Sequence, residues 1–166
     1  MKNLSRFFAA VACLQAIALF ALWPQMASGN TPSATVYQNA RFLCGIGGAS
    51  PVSFNLNTDT AGQTAYQAQS GPNYGCLGST PVRPHWFRFQ AANTATLRMI
   101  PQPTSNANLN FVLYGPFQNP NPVLSDLNST TILACSNSPA LLDTLVANVV
   151  QNRYYILFIS NQEGYA

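Results

Sequence analysis

The sequence predicts an all-β protein, an antiparallel two-sheet sandwich of jelly-roll-like or immunoglobulin-like kind with seven or eight strands. Three observations predict it. From Asn30 onward no segment repeats its apolar residues at a helical period. Runs of roughly five to seven residues, rich in β-branched and aromatic types, recur instead. Loops dense in Gly, Pro, Asn and Ser separate those runs.

The elements follow in chain order. Strands are expected at 51–56 (PVSFNL), 85–90 (HWFRFQ), 95–100 (ATLRMI) and 109–114 (LNFVLY), then at 131–135 (TILAC), 144–150 (TLVANVV) and 154–160 (YYILFIS). A further short strand is expected at 34–37. In HWFRFQ, Phe87 and Phe89 turn one way while Trp86, Arg88 and Gln90 turn the other, because side chains alternate along a strand. YYILFIS is apolar on both faces and reads as a central strand, covered on both sides. Two loops are long, 57–84 and 117–129, and the second has the composition of a solvent-exposed cap. Residues 141–143 are expected to add at most a turn of helix.

The N-terminus reads as a targeting segment. Lys2 and Arg6 form a basic head, an apolar run extends from Phe7 to Trp23, and Pro24 ends it ahead of the small residues Ala27, Ser28 and Gly29. Residues 1–29 are therefore expected to be a cleaved secretory signal, 30–41 an extended N-terminal segment and 42–166 the sandwich domain. The run is short for a bilayer span, so no membrane anchor is expected after cleavage. Apolar residues continue past Cys13, which argues against a lipoprotein site there.

Composition narrows the partners. Beyond residue 29 the chain has no lysine, and its five arginines against four acids leave it near +1. That is no basic stripe for phosphates, so a nucleic-acid partner is not expected. A near-neutral surface of Asn, Gln, Ser and Thr lacks the repulsion that keeps copies apart, which favours self-association.

Chemistry finds little support. His85 is the one histidine, placed at the start of a strand after Pro84, and no nucleophile–base set accompanies it. The acids Asp59, Asp126, Asp143 and Glu163 are scattered, which suits no carboxylate pair. No cofactor is expected, no metal residues are assigned, and zinc spacing is absent. Asn57, Thr58 and Asp59, or Ser125 and Asp126, offer only a partial oxygen set for structural calcium. No catalytic residues are assigned, and the chain reads as non-enzymatic. Among the aromatics, Tyr74, Trp86 and Tyr114 are candidates for a platform on which sugar rings stack. The competing reading makes them core and loop anchors.

Three cysteines follow the signal: Cys44, Cys76 and Cys135. An odd number in an oxidising compartment implies one pair and one remainder, and spacing alone does not choose among the three pairings.

The ordered series FLCG, GPNYGCLGSTP, PHWFRFQ, NFVLYGPF, ACSNSP and RYYILFISN, spread from Phe42 to Asn161, resembles a recurrent β-sandwich module. This module is of pre-peptidase C-terminal type and occurs in large extracellular surface proteins of gliding, type IX-secreting bacteria. The resemblance implies a Cys44–Cys76 disulfide closing a loop of about 30 residues, worth roughly 3–4 kcal/mol in the chain-entropy model. Cys135 then remains a buried free thiol or an intermolecular link. Where the family often carries an acid before the GPF strand, this chain has Asn110, which lowers the expectation of a cation site. The family's domain also continues into a last strand that this sequence, ending at Ala166, is expected to lack.

A sandwich short of one strand exposes an edge of unpaired backbone groups, to which another chain can add. The segment NTPSATVYQNARF, or its equivalent in a neighbouring copy, is the expected donor. The expected function is adhesion or self-assembly at the cell surface or in the matrix, into fibres by strand complementation. The alternatives are a carbohydrate-binding module with a polysaccharide partner, or a fragment of a larger surface protein.

Overall fold

The structure is a computed structural model, and it describes residues 36–43, 67–79, 81–100, 108–138 and 144–161. The expected signal, the strand at 51–56, the helical turn at 141–143, Cys44, Asn57 to Asp59 and any strand beyond Asn161 lie outside these residues.

Among the described residues the chain is all-β, with seven strands in two sheets and no α-helix. The strands are β1 (Arg41–Phe42), β2 (Pro84–Gln90), β3 (Ala95–Met99), β4 (Leu109–Phe117), β5 (Ile132–Ser136), β6 (Leu145–Val149) and β7 (Tyr154–Asn161). The large sheet has the order β1-β2-β7-β4-β5 and the small one pairs β3 with β6. Every pairing is antiparallel except that of β1 with β2, which is parallel.

Strand β7 is central because its sequence leaves it no polar face. It lies between β2 and β4, and from Tyr155 to Asn161 it is buried throughout. Register aligns side chains into rows across the sheet. One row on the first face is Phe87–Leu157–Leu113, while Trp86–Phe158–Val112–Cys135 forms a row on the second.

The two faces are covered differently. The first carries Phe87, Phe89, Phe111, Leu113, Tyr155, Leu157 and Ile159 and packs against Leu145, Ala147 and Val149 of the small sheet. Alternation in β6 produces this, since Leu145, Ala147 and Val149 turn inward while Val146 and Asn148 face out. The corner joining the sheets is tied by Ala91 N–H donating to the Arg153 carbonyl (3.0 Å) and Asn152 N–H donating to the Ala91 carbonyl (2.8 Å). Beneath it the Val150 N–H donates to the Tyr155 hydroxyl at 2.7 Å, and that ring stacks on Phe89.

Among the described residues no second sheet covers the other face. Trp86, Val112, Tyr114, Ile156 and Phe158 lie instead under three irregular pieces that contribute Tyr37 and Ala40, Tyr74 and Leu77, and Leu124 and Leu127. The loop after Phe117, expected as a solvent-exposed cap, thus turns back and buries Leu127 to 1% exposure. Where β4 ends, Gly115 has φ +142° and its hydrogen faces the Tyr155 ring, where a Cβ would come within 2.6 Å of Cδ1. The Gly115–Pro116 bond is cis.

The disulfide expectation is corrected here. Cys76 is bonded to Cys135, with Cα atoms 5.9 Å apart. The Cys44–Cys76 pairing is thereby excluded, and Cys135 is neither a free thiol nor an intermolecular link. The physical reason is register: β4 pairs Val112 with Cys135, which puts the thiol on the second face beneath the 3-10 turn Gly75–Leu77. Gly75, at φ +57°, lets that turn approach to a distance where a Cβ would meet the Cys135 sulfur at 3.2 Å.

Candidate functional site

The second face carries the feature of greatest functional interest, the seam between the N-terminal segment and the body. Residues 30–41 were expected to be extended, with a strand at 34–37. The structure corrects this at Tyr37–Asn39, a 3-10 turn whose Tyr37 is buried with Ala40 in the second-face core, while Arg41 is extended in β1. Backbone sterics permit either conformation, and the choice falls to the turn because it drives Tyr37 into an aromatic recess. Its ring meets Trp86 edge-on at 5.7 Å. Its hydroxyl donates to the Pro122 carbonyl at 2.7 Å, and its N–H donates to Gln69 Oε1 at 2.6 Å. The chain then pairs Arg41 with Phe87 and Phe42 with Arg88, and Leu43 N–H donates to the Arg88 carbonyl at 2.7 Å.

Of the two readings of the candidate aromatics, the sugar platform is corrected and the core reading holds. Tyr74, Trp86 and Tyr114 are 3%, 0% and 0% exposed, so no ring face is open to a ligand. They are brought together, but as core: Trp86 lies 6.0 Å from Tyr74, 6.3 Å from Tyr114 and 4.6 Å from Phe158. Each tyrosine uses its polar end to fasten the covering loops, Tyr74 donating to the Gln69 carbonyl (2.6 Å) and Tyr114 to the Asn73 carbonyl (2.8 Å). A buried Tyr hydroxyl needs such an acceptor.

Burial also shifts these phenols. That of Tyr37 is pushed up to about 12, first by desolvation, against a lowering by Arg88 and a raising by Asp126. Tyr74 and Tyr114 are raised too, by burial foremost. A raised phenol means that the fold holds the neutral form. Its contribution is complete below the unfolded value near 10 and is lost as pH rises through that value toward the folded one. The melting temperature is therefore expected to hold level up to about pH 9 and to fall steeply above about pH 10. Thermal unfolding followed by circular dichroism from pH 8 to 11 checks it, and a flat profile to pH 11 would refute it.

Beside the seam lies an open cleft of about 550 Å³ lined by Tyr37, Gln38, Arg88, Asn121, Pro122, Val123 and Leu124. Arg88 is half-buried on β2, and its Nη1 donates to Asn121 Oδ1. Exposed apolar residues stand close by: Val123 in the cleft wall, Phe42 beside Arg88 in the β1–β2 register, and Val36 next to Tyr37. Sequence reasoning passed over this cleft. The alternation of HWFRFQ already turned Arg88 to the face of Trp86, which was the one available signal.

Other expected residues are placed as follows. His85 is 3% exposed, on β2 opposite Ile159. Asp126 Oδ2 accepts the Val123 N–H at 3.0 Å, and the Ser125 carbonyl accepts from Asn128 Nδ2. Among the described residues no three His, Cys, Asp or Glu side chains cluster closely enough to hold a metal.

Fold and seam together define the class: an all-β sandwich whose large sheet is extended at one edge by its own N-terminal segment. Compared with family models, curated proteins and solved structures, the chain finds no match in any of the three.

Proposed function

We propose that the protein is a secreted, non-catalytic β-sandwich module that acts at the cell surface or in the extracellular matrix, adhering and assembling through exchange of its N-terminal segment between copies. One observation carries this reading. The segment from Tyr37 to Leu43 docks on the body as a separate piece, adding a parallel strand of only two residues to β2 and seating one aromatic ring.

Magnitudes favour exchange. Each backbone hydrogen bond contributes about 1 kcal/mol net, and burying the Tyr37 ring about 1.5–3 kcal/mol. A few kcal/mol in total is less than the 5–15 kcal/mol typical of a whole domain, so the segment opens before the body does. The same contacts are then available to the segment of another copy. A head-to-tail contact of this kind propagates unless it closes into a ring. The near-neutral surface and the resemblance to a module of surface proteins support the same reading.

Size-exclusion chromatography with light scattering tests it. Mature chain is expected to give oligomers whose mass rises with concentration, whereas chain lacking residues 30–41 stays monomeric and folded by circular dichroism. A monodisperse monomer from both at all concentrations would sink the proposal.

A further inference from the structure

We infer that the Arg88 cleft is a binding site for a carboxylated sugar, a uronic-acid unit of an acidic polysaccharide. Arg88 stands on a rigid strand of the large sheet, held in register against Ile156 of β7 and Phe42 of β1. Its guanidinium is half-buried, and its side-chain hydrogen bond goes to a neutral amide oxygen, Asn121 Oδ1. Its Nε is buried without a partner, and among the described residues no carboxylate pairs with it. Asp126, the acid among the described residues, accepts the Val123 N–H at its Oδ2. A half-buried cation without a counter-charge is costly, and an arginine fork matches a carboxylate better than any other anion-binding side chain.

The rest of the lining selects the body that carries the carboxylate. Gln38 and Asn121 present exposed amides at the cleft, which can exchange hydrogen bonds with ring hydroxyls. Val123, 63% exposed, with Leu124 and Pro122 supplies an apolar wall for the C–H face of a pyranose. A volume of about 550 Å³ lies in the range of small-molecule sites and suits one or two sugar units. This site is separate from the buried aromatics that sequence reasoning put forward for sugars. It does not depend on strand exchange, since Tyr37 and Gln38 line the cleft whichever copy supplies them.

The test is isothermal titration of mature chain with an oligouronate, a neutral glucose oligomer, acetate, and a peptide with a free C-terminal carboxylate. Saturable binding to the oligouronate is expected, weakened roughly tenfold or more by Arg88→Gln and reduced by salt. Arg98→Gln, which removes an exposed arginine on β3, is expected to leave it unchanged. Equal binding of the neutral oligomer would overturn the inference, as would an equal loss in Arg98→Gln. Tighter binding of the peptide would replace the sugar with a protein terminus. Should Arg88→Gln fail to fold, Arg88→Lys serves in its place, keeping the charge but losing the fork. Unchanged affinity in that variant would also overturn the inference.

Discussion

A Cys76→Ala/Cys135→Ala double variant is expected to lose about 4 kcal/mol of stability. The bond spans 59 residues of sequence, and the entropy removed from the unfolded chain grows with the logarithm of that span, giving about 4 kcal/mol in the chain-entropy model. For a domain of this size that corresponds to a fall in melting temperature on the order of 10–20 °C. The location adds to the effect. Cys76 sits in the loop that covers the second face, and Cys135 lies in the row of Trp86, Phe158 and Val112. Cutting the bond frees the loop that carries Tyr74 and accepts the hydrogen bond of Tyr114. Thermal unfolding measures the loss. Mass spectrometry of non-reduced peptides should show Cys76 linked to Cys135 and the link intact in Cys44→Ala. A Cys44–Cys76 peptide, or a loss below about 1 kcal/mol, would contradict the structure.

Trp86→Ala is expected to cost about 3–5 kcal/mol. The indole is 0% exposed and is enclosed by Tyr37, Tyr74, Tyr114 and Phe158, with centroids 4.6 to 6.3 Å away. Alanine leaves a cavity that neighbours on a five-stranded sheet cannot close. The consequence is also local, because Tyr37 packs its ring on Trp86. Hydrogen exchange should therefore show the amides from Val36 to Leu43 losing protection ahead of β7. Urea unfolding gives the total, and a change under 1 kcal/mol would count against the packing described. Uniform loss of protection across segment and body would count against a separately docked N-terminal piece.

Much of the architecture was legible from local pattern. YYILFIS has no polar face, and a strand without one must be central, as β7 is. TLVANVV was expected as a strand, and β6 buries Leu145, Ala147 and Val149 of it against the large sheet. HWFRFQ divided its aromatics between two faces as alternation requires. These are period-two signals, carried by neighbouring residues, and need no knowledge of what lies opposite.

The candidate site was much less legible. Tyr74, Trp86 and Tyr114 suit a sugar platform and a core equally well by residue type, and only the loops laid over the second face decide for core. The Arg88 cleft draws its walls from residues 37–38, 88 and 121–124, which no sequence window contains. The N-terminal segment reads as polar and free until the recess beside Trp86 is known to receive Tyr37.

By itself, the sequence determined the all-β class, the central place of β7 and the two-sided pattern of β2, because alternation and composition act over a few residues. Tertiary structure alone decided that Cys76 meets Cys135, that β1 runs parallel along β2, and that Arg88 looks into an open cleft. Each of these depends on which distant strands become neighbours and in what register. That choice is set by burial summed over both faces of the large sheet, a quantity no single segment contains.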